Sequence, residues 1–148
     1  MVSSSGARLV EKNTPGALRK KIFPICTVIT PNIYEASVLT GIDIKTRADM
    51  EKAAVCLKGY GPENVLVTGG HLEGVALDVL YDGEFHYLRS RKAEGEYHGT
   101  GCVFSAALTA MLAKGYSVLD SARGAKKFMN RALKQSFSTG SGMRLFNI

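Results

Sequence analysis

The stretch His98-Gly99-Thr100-Gly101-Cys102 runs directly into Val103-Phe104-Ser105-Ala106-Ala107-Leu108, and its residue types suit phosphate chemistry. Glycines let a backbone approach an anion, and the free N–H groups of a first helical turn point at it. Cys102 falls where that helix is expected to begin, so the positive end of the helix dipole favours its thiolate. An anion cradle and a proton acceptor thus stand side by side. The plainer alternative for Cys102 is a buried structural cysteine. A second pair, Asn32 and Glu35, is spaced so that one helical turn brings both to the same side. On spacing alone they read as a helix N-cap and a first-turn charge. His71 and His98 receive no catalytic assignment: a lone histidine in a loop or at a strand end is more often structural or solvated.

These residues need elements to hold them. Thr14-Pro15 reads as an N-cap followed by Pro at the first helical position, with a short helix to about Phe23. Thr27 to Thr30 is a buried-strand signal stopped by Pro31. Asn32 to Leu39 reads as helix, ended by Gly41. Thr46 caps a helix over 47–58, with Met50, Ala53, Ala54 and Leu57 inward. Asn64 to Thr68 is a second buried strand that runs into Gly69-Gly70. Residues 75–81 and 84–88 flank Asp82-Gly83, a hairpin signal. A helix follows over 102–113, closed by Gly115, and Ser117 caps a last helix to about Gln135. Residues 1–10 and 138–142 read as loop. The alternation predicts an α/β fold with a mostly parallel sheet plus a β-hairpin. Two strands and a hairpin are few for a sheet covered on both faces, so the chain reads as part of a larger layered domain.

Composition narrows the function classes. With 148 residues there is material for one domain and a core. Hydrophobic residues make up 45% and charged residues 22%, a globular profile without a run long enough to cross a bilayer. The first residues carry no apolar signal segment. Cys26, Cys56 and Cys102 lack paired metal-ligand spacing, which points to reduced thiols in a cytoplasmic setting. The net charge of +6 is scattered over Arg19-Lys20-Lys21, Arg89 to Lys92 and Lys126-Lys127, without interleaved aromatics. That argues for solvated helix faces, with no nucleic-acid partner and no membrane partner, and for a mild field attracting anionic nucleotides.

Taken together, the motifs resemble the hydroxymethylpyrimidine/phosphomethylpyrimidine kinases of thiamine biosynthesis, a ribokinase-like branch. The matching pieces are Ser5 to Leu9, Val28 to Asn32 with Glu35-Ala36, Val65 to Val67 with Gly69 to Leu72, Asp78 to Gly83, and His98 to Cys102. A Gly-x-Gly tail at Gly140 and Gly142 completes the set. The thiol closing the Gly-Thr-Gly turn separates this branch from relatives with Asp there.

The resemblance implies the C-terminal part of a ribokinase-like layered α/β/α domain. Residues 1–148 are expected to form a single, N-terminally truncated kinase domain, with Met1 an internal methionine of the family pattern. It implies an ATP- and Mg²⁺-dependent phosphotransferase acting on hydroxymethylpyrimidine or its monophosphate. Gly99, Thr100 and Gly101 would form the anion hole, and Cys102 would take the proton from the substrate hydroxymethyl oxygen. Asn32 and Glu35 would match the Asn-x-x-Glu motif that organises water around Mg²⁺ bridging ATP phosphates, with Glu35 as the metal-side carboxylate. Thr68 and Gly70 would belong to the nucleotide site. Thr68 departs from the usual Lys, and brings one hydrogen-bond donor without positive charge. Ala122, Ala125, Lys126 and Met129 would line the adenine or simply form core. An incomplete sheet predicts a homo-oligomer or pairing with a chain supplying the other half. Two other readings stay open: a pyridoxal-kinase-like activity, and a non-catalytic nucleotide-binding remnant.

Overall fold

Caps and chain breaks set the elements of the computed structural model, which describes residues 13–70, 76–90, 92, 95, 97, 99–140 and 142–147. The chain divides into two units, one ending at Arg89 and one beginning at Ser90.

In the first unit, Pro15 lies in the first turn of α1 (Thr14–Ala17), where its missing N–H leaves nothing unpaired. Asn13 holds the N-cap position without a side-chain bond, one residue earlier than the sequence suggests. The helical path continues as a π turn over Leu18–Ile22 and a 3-10 turn over Phe23–Ile25. Pro24 cannot donate back into the preceding turn, which brings the helix to its end. α2 (Ile33–Thr40) begins at Asn32 and ends at Gly41, whose φ of 77° lets its amide reach back to Ser37 O at 2.8 Å. α3 (Arg47–Lys58) is capped by Thr46 and Asp49, each side chain bonded to the other's backbone amide. Its inner face of Met50, Ala53, Ala54 and Leu57 is fully buried, as the periodicity predicts.

The sheet contains β1 (Val65–Gly69), β2 (Ala76–Tyr81) and β3 (Phe85–Ser90), in that spatial order. β1 and β2 are antiparallel, with Val65 opposite Tyr81 and Gly69 opposite Leu77. Val65, Val67, Leu77 and Val79 share one sheet face and join a core with Ile33, Ala36, Leu39 and the inner face of α3. The Asp82-Gly83 hairpin forms where the sequence places it, with Gly83 at φ 122°. The sheet is not mostly parallel. Only six residues connect β1 to β2, and a parallel crossover needs about a dozen or more. Among the described residues of this unit, parallel pairing is confined to the bridges Ile29–Val65 and Asn32–Thr68. The strand expected over Thr27–Thr30 is reduced to these bridges. Ile29 alone in it is buried, and Pro31 has no N–H with which to extend the ladder.

The second unit is built on α4 (Thr100–Ala113) and α5 (Val118–Lys134). α4 starts two residues before Cys102, because Gly99 at φ 81° turns the chain directly into it. Gly115, at φ 85°, closes α4, and Ser117 Oγ accepts from the Asp120 amide to open α5. The two helices pack closely: a side chain at Gly124 would meet the Met111 thioether. Ala122, Ala125, Lys126 and Met129 are all buried on α5. The described residues of 138–142 form the expected loop, and on either side of it Phe137 and Leu145 exchange both backbone hydrogen bonds, at 3.0 and 2.9 Å. Among the described residues no helix is long and apolar enough to cross a membrane.

Candidate functional site

The N-terminus of α2 and the end of β1 meet through the Asn32–Thr68 bridge, where the Thr68 amide donates to Pro31 O at 2.9 Å. This brings Asn32, Glu35 and Thr68 together, with Gly70 two residues further on. Asn32 Oδ1 accepts from the Glu35 amide at 2.9 Å, and Glu35 Oε2 accepts from the Asn32 amide at 3.1 Å. The plainer reading of this pair, a cap with a first-turn acid, is therefore real: it is a capping box. The box engages one carboxylate oxygen. Among the described residues Glu35 Oε1 has no hydrogen-bond partner, and Glu35 lines an open, largely apolar groove of about 180 Å³ with Thr30, Pro31 and Val38. One free carboxylate oxygen, with water and phosphate completing the shell, fits the way Mg²⁺ is held in nucleotide sites. Among the described residues no cluster of three acidic, His or Cys side chains offers a self-contained metal cage.

The strand end is held by two residues outside the sequence-derived site. Asp78, only 7% exposed, accepts from the Gly69 amide at 3.1 Å through Oδ1 and stands opposite Thr68 in the ladder. Gly69 itself leaves no room for a side chain, since a Cβ would fall 2.3 Å from Leu77 O. Gly70 has open space around it. The signal for Asp78 was an acid in an otherwise apolar β-strand, a residue type that is rarely buried unless bonded.

In the second unit, Gly99 is the N-cap of α4 in the left-handed region and offers no side-chain cap. The first bond within the helix runs from Val103 N to Gly99 O, at 3.0 Å. The amides of Thr100, Gly101 and Cys102 precede it and have no acceptor among the described residues. Among the described residues nothing stands within 4 Å of a Cβ built at Gly99 or Gly101. Cys102, at the third helical position, is exposed. His71, His98 and residues 5–9 lie outside the described residues.

Residues 1–147 match the family model described as phosphomethylpyrimidine kinase. A hydroxymethylpyrimidine/phosphomethylpyrimidine kinase of Streptomyces coelicolor is 38% identical over 144 residues, covering 96% of this chain and 54% of that protein. A pyridoxine kinase of Bacillus subtilis is 48% identical over 126 residues, covering 82% of this chain and 46% of that one. The crystal structure of an ADP complex of Bacillus subtilis pyridoxal kinase superposes with a TM-score of 0.88 at 42% identity, covering 94% of this chain and 56% of that chain. The chain belongs to the phosphomethylpyrimidine kinase family. It spans about half the length of the curated relatives it matches.

Proposed function

We propose that this chain carries the nucleotide and catalytic portion of an ATP-dependent kinase for hydroxymethylpyrimidine or its monophosphate. The observation that carries the reading is the turn Gly99–Cys102, three amides without an acceptor among the described residues beside an exposed thiol, in a member of this family. Phosphoryl transfer asks mainly for positioning and charge stabilisation. The Gly99-Thr100-Gly101 backbone holds the transferring phosphoryl group. Cys102 accepts the proton of the substrate hydroxymethyl group as its oxygen forms the new O–P bond and the terminal phosphate leaves ADP. Asn32, Glu35, Thr68 and Gly70 belong to the nucleotide side, where Glu35 would help hold Mg²⁺. When bound, that ion neutralises phosphate charge. Thr68 adds one neutral hydrogen bond there.

The high identity to a pyridoxine kinase favours a second reading, pyridoxal-type acceptors at the same site. A third is nucleotide binding without transfer, to which the uncharged Thr68 lends weight. In each reading residues 1–148 act as part of one ribokinase-like domain, as a homo-oligomer or paired with a chain that supplies the acceptor side, in the cytoplasm.

The test is incubation with Mg-ATP and hydroxymethylpyrimidine, read by mass spectrometry, beside a Cys102→Ala variant. Removing a general base is expected to slow transfer by about 10²–10⁴-fold. Full activity in Cys102→Ala would remove Cys102 as the base. Faster phosphorylation of pyridoxal than of the pyrimidine would select the second reading, and bound but unturned ATP the third.

A further inference from the structure

The turn Gly99–Cys102 is anchored on its helical side by α4, and its other side begins two residues upstream, at Tyr97. Tyr97 is not left to the loop. It forms a parallel bridge with Arg144, and its ring stacks on Phe146 with centroids 6.0 Å apart and planes 6° from parallel. Gly95, at φ 100°, has the Arg144 side chain and the Tyr97 ring as its nearest neighbours, within about 4 Å of a built Cβ. Arg144 in turn holds the end of α5: its Nε donates to Ser136 Oγ at 2.9 Å and its Nη2 to Ser136 O at 2.6 Å. Ser136 is buried, and its hydroxyl donates to Leu133 O at 2.7 Å. The Phe137–Leu145 pair fixes the register of the returning chain. α5 packs along α4, which starts at the turn. The path therefore closes on itself: turn, α4, α5, tail, Tyr97, turn.

We infer that the C-terminal segment 142–147 is a strap that positions the anion turn, with Tyr97, Arg144 and Phe146 as positioning residues. Its relevance to phosphate rests on the proposed function above; its mechanical role does not. A left-handed glycine followed by a second glycine has many conformations open to it. Three amides converge on one anion only if that freedom is removed in advance, which is what preorganisation means for binding. A planar guanidinium on Ser136 and a stacked ring pair supply the restraint from the side that α4 cannot reach.

The experiment uses the full chain with Phe146→Ala, Phe146→Tyr and Arg144→Lys. ¹⁵N relaxation reads the order of the Gly99, Thr100 and Gly101 amides, and calorimetry reads Mg-ATP affinity. In the parent the three amides should lie in the rigid range, near 0.85 or above about 0.6. Phe146→Ala and Arg144→Lys should lower them below about 0.6, leave Leu108 and Met111 in mid-α4 unchanged, and weaken Mg-ATP about tenfold. Phe146→Tyr, which keeps the ring, should behave as the parent. Arg144→Lys keeps charge and backbone pairing, so it reports even if Phe146→Ala fails to fold. Unchanged order at the turn in Arg144→Lys and Phe146→Ala, or a turn already mobile in the parent, would overturn the strap. A parent that binds no Mg-ATP, with order lost in the variants, would leave the strap standing and reject the nucleotide reading.

Discussion

Asp78 and Gly69 hold the end of β1, a role that the motifs containing them do not announce. The buried carboxylate receives the amide of a glycine that cannot carry a side chain. Asp78→Ala is expected to leave that amide unsatisfied and lower stability by about 1–3 kcal/mol, while Asp78→Asn retains an acceptor and loses less. Urea unfolding midpoints compare the two. Gly99 makes the opposite case: among the described residues nothing stands within 4 Å of a Cβ built on it, and its φ of 81° demands glycine. Gly99→Ala should therefore lower stability by about 1–2 kcal/mol and weaken Mg-ATP binding, measured by thermal melts and calorimetry. The turn at Gly99 into α4 was legible in the sequence because glycines directly before a helical pattern mark such a turn. Asp78 was not, because its role depends on a partner strand whose register is set elsewhere.

At the scale of elements, local caps were legible and long-range pairing was not. α2, α3 and α5 begin at Asn32, Thr46 and Ser117, each with a side chain that accepts an amide within the next turn. Such bonds are made by near neighbours, so spacing alone reveals them. The Thr46–Asp49 box has a pH signature. The Thr46 hydroxyl, and then the Lys45 amide, hold the Asp49 carboxyl below its ordinary value of 3.8. A folded value below the unfolded one gives stability that is present above pH 3.8 and lost as pH falls through the folded value. Thr46→Val should raise the Asp49 value towards 3.8 in an NMR titration and shorten the protection of the first turn of α3. The direction of the sheet, by contrast, follows from loop length and hydrogen-bond partners. The segment around Ile29 has strand composition but no strand, because Pro31 ends its ladder.

For the whole molecule, the exposed apolar surface of the first unit carries the prediction. Ile25 is 79% exposed, and Tyr34 and Val38, one turn apart on α2, are about half exposed beside the groove that Glu35 lines. If the chain pairs as proposed, sedimentation should show a species larger than 15.9 kDa, and Val38→Lys should shift it towards the monomer. A monomeric parent chain would count against pairing through this face.

The sequence by itself determined the family, the helix boundaries marked by their own caps, the buried face of α3, and the glycine turn with its thiol. All of these rest on residues within one or two turns of each other, or on a linear motif. Only the tertiary structure decided that β1 and β2 run antiparallel, that Asn32 lies beside Thr68, that Asp78 holds the strand end, and that the tail returns to Tyr97. These depend on which distant backbone groups find one another when apolar surface is buried, and a local pattern does not encode that choice.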